Sequence, residues 1–212
     1  MNSTKVYCLG ILGVIFFVAP AILGGLQFDE YSHIKQFISE SYATGTPYGN
    51  QLRFFGYIPS GIMIALFAFI APGFLPRARG VKIGFWLFAV FYGFGTIFVG
   101  LFPCDEGCNR EFIDPSVSQI IHNLVGGLTY LVVPILVLAI GIMARSRPDS
   151  RSYATTTIVC GVIALIFAWL MIGVPNGSYI GLYQRLVEGS ILFWVFKTAM
   201  YVRNKGMVLD SV

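Results

Sequence analysis

Residues 101–123 read LFPCDEGCNREFIDPSVSQIIHN, and this stretch separates two long apolar segments of the chain. It leaves the first segment at Phe102 and enters the next near His122. Between them lie two cysteines, an arginine and four of the ten acidic residues: Cys104, Asp105, Glu106, Cys108, Arg110, Glu111 and Asp114. A short charged stretch between two apolar segments of membrane length is typical of a loop at a membrane surface. The surrounding chain is therefore predicted to be a membrane scaffold that holds this loop.

The composition of the whole chain agrees with that interpretation. Hydrophobic residues make up 56% and charged residues 11% of the 212 positions, against about 45–50% and about 25% in soluble domains. Several runs without Asp, Glu, Lys, Arg or His are long enough for a hydrocarbon core that needs about 20 helical residues. These runs are residues 6–28, 54–76, 83–104, 123–144 and 152–184. The last is too long for one helix and breaks at Gly173–Ser178, where the residues favour a turn.

We therefore predict an all-α integral membrane protein with six transmembrane helices in a single domain, residues 1–212. The predicted helices are about 6–26, 54–75, 83–102, 115–144, 154–173 and 180–203, with outer loops at 27–53 and 103–114. Asp114 followed by Pro115 predicts the N-cap of the fourth helix. The first apolar run exceeds the 7–15 residues of a signal-peptide core, so we expect it to be a span.

The placement of Lys and Arg predicts the orientation of the bundle. Ten of the fourteen lie on the side that holds both termini and the two short turns near Arg79 and Arg145. The other four are Lys35, Arg53, Arg110 and Arg185. Both termini are therefore expected to be cytoplasmic. The net charge of +4 is a sum over two separate faces and predicts no nucleic-acid partner; membrane lipids are the expected partners.

Polar residues from distant parts of the sequence are predicted to meet at the outer rim of the bundle. A charged residue inside a span is costly and is by default a candidate functional residue. Glu188 lies inside the last span, and we expect it to pair with Arg185 one turn away and to face His122. The predicted ligand-binding residues are Ser39, Glu40, Asp105, His122, Arg185 and Glu188. A structural network of ion pairs is the alternative.

The first outer loop has apolar residues at helical spacing, with His33, Gln36 and Glu40 on another face. This pattern predicts a short amphipathic helix at the membrane surface. Its polar face is either solvated or turned inward as a lid.

Metal binding and catalysis have no complete motif in this sequence. Zinc could take His33, His122 and a carboxylate such as Asp105, but no HxxxH or HExxH spacing places two ligands on one helix face. No GxSxG motif is present. The candidate catalytic residues are His122 and Asp105, which are predicted to meet at the outer rim. Cys104 and Cys108 are expected to form a disulfide, since they lie on the predicted oxidising side.

Short motifs across the chain resemble a known family. They are Ser32-His33-Ile34, Phe37–Glu40, Leu101–Asp105, His122 and Gly181–Arg185. In this order they resemble the six-span prokaryotic membrane proteins grouped as domain of unknown function 998. The resemblance implies a stand-alone six-helix bundle in a bacterial or archaeal plasma membrane, with no established activity. A more distant likeness is to membrane hydrolases of the alkaline ceramidase type, which place Ser, Asp and three His around zinc; this chain has two His.

Three functions follow as hypotheses. The leading one is the binding or transport of a lipid headgroup or small amphiphile in a polar pocket at the outer rim. The second is a lipid-directed hydrolase that uses His122 with Asp105, with or without zinc. The third is a structural membrane subunit whose polar contacts only hold helices together.

Overall fold

The computed structural model describes residues 2–146 and 150–210 of the chain. Arg147 and Asp149, which contribute to the predicted charge of the terminal side, lie outside the described residues. Within the described residues the protein is helical and has no β-strand. The prediction of an all-α protein is thereby confirmed.

The α-helices are α1 (Ser3–Leu23), α2 (Gly49–Leu52), α3 (Ile58–Ile70), α4 (Arg79–Phe88), α5 (Gly95–Leu101), α6 (Val117–Ala144), α7 (Arg151–Gly173) and α8 (Ile180–Asp210). Short 3₁₀-helices occupy Gly24–Gln27, Ile38–Tyr42, Ala71–Phe74 and Glu106–Cys108. π-helical segments join α2 to α3 at Arg53–Tyr57 and α4 to α5 at Ala89–Phe94.

Five helical stretches of the described chain are long and apolar enough to cross a membrane: Ser3–Gln27, Gly49–Phe74, Arg79–Leu101, Val117–Ala144 and Arg151–Gly173. The chain is thus a multi-pass membrane protein. The remaining long helix, α8, differs from these five because it carries Arg185, Glu188 and Lys197 within its first 18 residues.

The helices pack into a bundle in which α7 lies between α6 and α8, while α1 lies against α3 and α8. Apolar burial supplies little drive between helices in lipid, so small residues at contacts permit close packing. Gly93 is one such residue, because a Cβ added there would lie 2.7 Å from the Ala65 Cβ on α3. Successive helices alternate in direction, so residues 28–48, 102–116 and 174–179 lie at one end of the bundle. We call this end the loop face.

Two local predictions at the loop face were wrong. The N-cap of α6 is Ser116, whose hydroxyl accepts the Gln119 N–H at 3.1 Å. Asp114 has a φ of +44°, whereas an N-cap residue is normally extended. The stretch 31–40 forms turns followed by the 3₁₀-helix Ile38–Tyr42, because its backbone groups bond to side chains of α8, as described below.

Candidate functional site

Glu188 is buried inside the bundle, with 6% of its surface exposed. Two tyrosine hydroxyls donate to its carboxylate: Tyr92 to Oε2 at 2.7 Å and Tyr130 to Oε1 at 2.8 Å. Hydrogen bonds to a charged acceptor are roughly twice as strong as neutral ones. The tyrosines therefore supply the polar partners that a carboxylate within a membrane requires.

Arg185 does not pair with Glu188, so the predicted ion pair is wrong. Its Nη1 donates to the carbonyl oxygens of His33 (2.7 Å), Gln36 (2.8 Å) and Gly181 (3.0 Å), and its Nη2 donates to the Tyr31 hydroxyl (3.0 Å). Helical side chains lean toward the helix N-terminus. Since Arg185 is near the start of α8, its guanidinium reaches the loop instead of the bundle interior.

Gln184 connects that same loop to the buried carboxylate. Its Oε1 accepts the Ile38 N–H at 2.6 Å, and its Nε2 donates to the Tyr130 hydroxyl oxygen at 2.9 Å. Tyr130 in turn donates to Glu188. A continuous chain of hydrogen bonds therefore runs from the backbone of the loop to Glu188. We call residues 28–48 the lid loop, because its segment Ile38–Tyr42 is buried over this site.

A cavity of about 60 Å³ lies beside Glu188, and we call it the chamber. Its lining is mainly aromatic and polar and includes Phe17, Tyr42, Tyr57, Tyr92, His122, Tyr130, Gln184 and Glu188. The hydroxyl of Tyr57 is buried and has no hydrogen-bond partner among the described residues. The Ser41 hydroxyl lies nearby, but it donates to the Ile38 carbonyl oxygen at 2.7 Å. A buried polar group without a partner is unusual in a native protein, so the Tyr57 hydroxyl has hydrogen-bonding capacity that the described chain leaves unused.

Two larger cavities adjoin the chamber. The upper cavity, about 330 Å³, lies toward the loop face and shares Ser39, His122 and Gly126 with the chamber. The side cavity, about 380 Å³, lies between α1 and α8 and shares Phe17, Ile38 and Glu188 with it. Val18 and Ile22, which line the side cavity, are exposed on the outer surface of the bundle. The chamber thus has one neighbouring space toward the loop face and another toward the membrane.

The predicted ligand residues Ser39 and Glu40 are buried in the lid loop. Glu40 accepts the Phe37 N–H at 2.9 Å and forms an ion pair with Arg110 of the other outer loop. The Ser39 hydroxyl oxygen lies 3.2 Å from the Cys108 sulfur. Glu40 therefore links the lid loop to the loop that contains Arg110. Ser39 lines both the chamber and the upper cavity.

Asp105 and His122, the candidate catalytic pair, are not bonded to each other. The Asp105 carboxylate accepts the Ser116 N–H at 3.0 Å and the Ser116 hydroxyl at 2.5 Å. These bonds hold the pKa of Asp105 below its usual range. His122 donates its Nδ1–H to the Phe102 carbonyl oxygen at 2.9 Å and lines the chamber. Asp105 thus orders the start of α6, whereas His122 belongs to the site.

The possible metal ligands are arranged differently from the prediction. His33 is exposed and packs its ring on Tyr31 with centroids 5.1 Å apart; partial burial and the nearby Arg185 charge lower its pKa. Ligand atoms of Cys104, Cys108 and His122 lie within 4.8 Å of one another. The two cysteines are joined in a disulfide, and a metal would require them as thiolates. This group can therefore offer three ligands only after reduction.

Sequence reasoning missed most of the residues that form the chamber. Tyr42, Tyr57, Tyr92 and Tyr130 come from four different segments, and Gln184 was not singled out. A signal was present, because a tyrosine within an apolar span requires a partner for its hydroxyl. A buried carboxylate such as that of Glu188 can accept hydrogen bonds from several tyrosine hydroxyls.

Comparison with protein families gives one match that covers most of the chain. Residues 11–201 match the family described as "Protein of unknown function (DUF998)". No curated protein and no solved structure matched the chain in the corresponding comparisons. The matched range includes the chamber, both outer loops and the start of α8 with Arg185 and Glu188. The chain belongs to the DUF998 family of proteins of unknown function.

Proposed function

We propose that this protein binds a lipid headgroup or small amphiphile in the chamber and transfers it between the membrane and the outer aqueous face. The observation that carries the proposal is the chamber itself. It places a buried carboxylate and its two tyrosine partners between a cavity toward the loop face and a cavity toward the membrane. An amphiphile matches such a site, since its head requires polar partners and its chain requires apolar surroundings.

The proposal includes α8 as a sixth span. Its 31 residues extend about 46 Å at 1.5 Å per residue, more than the ~30 Å of the hydrocarbon core. Glu188 has internal partners, and Lys197 is exposed on a side chain long enough to reach the interface. Six spans put both termini on one side. The Lys and Arg bias makes that side cytoplasmic, and the family resemblance suggests a prokaryotic plasma membrane.

The hydrolase alternative receives less support than binding. General-base catalysis by His122 with an orienting Asp105 requires the two side chains to be within hydrogen-bond reach. Asp105 is instead bonded to Ser116. We therefore assign His122 to ligand contact and Asp105 to loop structure.

Filling the cavities with side chains tests the proposal. A Cβ added at Gly126 or Gly189 would meet no atom within 4 Å; Gly126 borders the chamber and Gly189 the side cavity. Gly126→Leu and Gly189→Leu should therefore fold and occupy ligand space. Gly73→Leu is the matched control, because Gly73 also has free space and lies in the 3₁₀-helix Ala71–Phe74, none of whose residues lines the three cavities.

The readout is native mass spectrometry of the purified full chain, combined with extraction of copurifying lipid. We expect wild type and Gly73→Leu to carry bound amphiphile and the two filled variants to lose most of it. If all four proteins carry the same lipid, or if wild type carries none and binds none on addition, the chamber is not a ligand site. The structural-subunit hypothesis would then stand.

A further inference from the structure

We infer that the chamber selects a primary ammonium group, so that the ligand is an amphiphile with an aminoalkyl head. This inference rests on the proposed function and specifies the chemistry of the ligand. It is carried by three observations: a buried carboxyl group without a basic partner, an aromatic lining and the small volume of the chamber.

The carboxyl group of Glu188 has no basic partner in the chamber. Of the described residues that line the chamber, none is a lysine or arginine. Arg185, one turn from Glu188, directs its guanidinium to the lid loop. His122 donates its Nδ1–H to the Phe102 carbonyl oxygen and not to the carboxylate. Two tyrosine hydroxyls stabilise the carboxylate of Glu188 but bring no positive charge, and charges within a membrane usually pair with an opposite charge.

The rings around Glu188 also favour a cation. Four aromatic side chains line the chamber beside it: Phe17, Tyr42, Tyr57 and Tyr92. Faces of aromatic rings attract cations, most strongly in sites without water. An anionic or neutral head would gain nothing from this lining and, if anionic, would be repelled by Glu188.

The head group itself distinguishes among cations. A primary ammonium has three N–H donors, as in lysine, and could donate to the Glu188 carboxylate. A quaternary ammonium has none and could pair with the carboxylate by charge alone.

The volume of the chamber also favours a primary ammonium. The chamber holds about 60 Å³, less than half of the ~150 Å³ cavity that accommodates benzene. That volume suits an ammonium with one methylene better than a trimethylammonium group. The alkyl chain would then extend into the side cavity of about 380 Å³. The lining of this cavity includes the apolar Val18, Ile22 and Leu192 together with His33, Arg185 and Glu188.

Binding of three probes to the full chain in non-ionic detergent tests the inference. The probes are dodecylamine, dodecyltrimethylammonium and dodecanol, which share one chain length and differ in the head. We expect dodecylamine to bind about tenfold or more tightly than either of the others. Glu188→Gln should remove this preference, because the amide keeps the shape of the carboxylate and lacks its charge. Glu111→Gln, at an exposed acid of the outer loop, should leave the preference unchanged.

If Glu188→Gln does not fold, the comparison of the three probes on the wild-type chain still decides the question.

The outcomes separate this inference from the proposed function. If dodecanol or dodecyltrimethylammonium binds as tightly as dodecylamine, or if Glu188→Gln keeps the preference, ammonium selection is overturned while amphiphile binding stands. If none of the three probes binds the wild-type chain, both the inference and the proposed function fail.

Discussion

Glu188 and Arg185 lie one turn apart on α8, and each is bonded to a different part of the protein. Glu188 accepts from two tyrosines of the bundle interior, whereas Arg185 donates to backbone carbonyls of the lid loop. Opposite charges at this spacing are the usual candidates for a helical ion pair. On α8, Arg185 therefore binds the lid loop, whereas Glu188 faces the chamber.

This separation predicts how the two residues combine in mutants. Arg185→Leu should lower the melting temperature in detergent because it removes several charge-assisted bonds to the loop, each worth about 1.5–3 kcal/mol before discounting for partial exposure. Adding Glu188→Leu should lower it further, since the second change leaves the Tyr92 and Tyr130 hydroxyls without their acceptor. A double variant more stable than Arg185→Leu alone would show that the charges are coupled as a pair.

Tyr92→Phe should destabilise the bundle by about 1–3 kcal/mol, because one donor to a buried carboxylate is lost. Tyr153→Phe is the matched control: Tyr153 is also buried, but its hydroxyl lies beside the uncharged Thr198, Thr157 and Trp194 and not beside a carboxylate. Thermal unfolding of both variants in one detergent measures the difference. Equal melting temperatures for the two would mean that Tyr92 does not support the Glu188 charge.

The disulfide predicts a defined pattern of thiol labelling. Cys8 and Cys160 are free, and Cys104 is bonded to Cys108. Alkylation of the denatured protein without reductant should therefore add two labels, and alkylation after reduction should add four. Intact-mass measurement distinguishes these states, and four labels before reduction would show that Cys104 and Cys108 are thiols.

Zinc binding should depend on the same bond. The sulfurs of Cys104 and Cys108 lie beside His122, but in the oxidised protein they are not available as thiolates. We expect elemental analysis of protein purified without reductant to show zinc well below one equivalent per chain. A full equivalent that resists chelation, with both cysteines protected from alkylation, would instead identify a metal site.

The start of α6 should become less stable in acid. Bonds from Ser116 depress the pKa of Asp105 in the folded protein, so this stabilisation is fully present above the unfolded pKa of about 3.9. It is lost as the pH falls through the lower folded value. Hydrogen exchange of residues 105–119 as a function of pH measures the effect. In Asp105→Asn, the protection of these residues against exchange should no longer fall in this pH range. In Glu111→Gln it should fall as in wild type.

The helical spans could be predicted from sequence because the membrane imposes a simple requirement of length and absence of charge. Details at the loop face depend on partners far away in sequence. Asp114 has a suitable residue type for an N-cap, but Asp105 bonds to Ser116 and helps place the cap two residues later. The amphipathic pattern of the lid loop likewise gave no information about the α8 side chains that bond to its backbone.

The aromatic lining of the chamber could not be predicted from the sequence, for a geometric reason. Tyr57 and Tyr92 both lie in π-helical segments, where an extra residue per turn changes the direction of the side chains that follow. A regular period of 3.6 residues would assign these two side chains to other faces. The prediction therefore found the buried acid on α8 but not the aromatic residues around it.

The chain of hydrogen bonds from the lid loop to Glu188 has a thermodynamic consequence. All of its donors point the same way, from the Ile38 N–H through Gln184 and Tyr130 to the carboxylate, and such bonds polarise one another. A ligand that bonds to the Glu188 carboxylate would weaken the bond that Tyr130 donates to it. Through Tyr130 and Gln184 it would also change the bond to the Ile38 N–H of the lid loop. By reciprocity, the factor by which an occupant changes the opening equilibrium of the loop equals the factor by which loop opening changes the affinity for that occupant. If the chamber binds a ligand, opening of the lid loop should therefore report whether the ligand is bound.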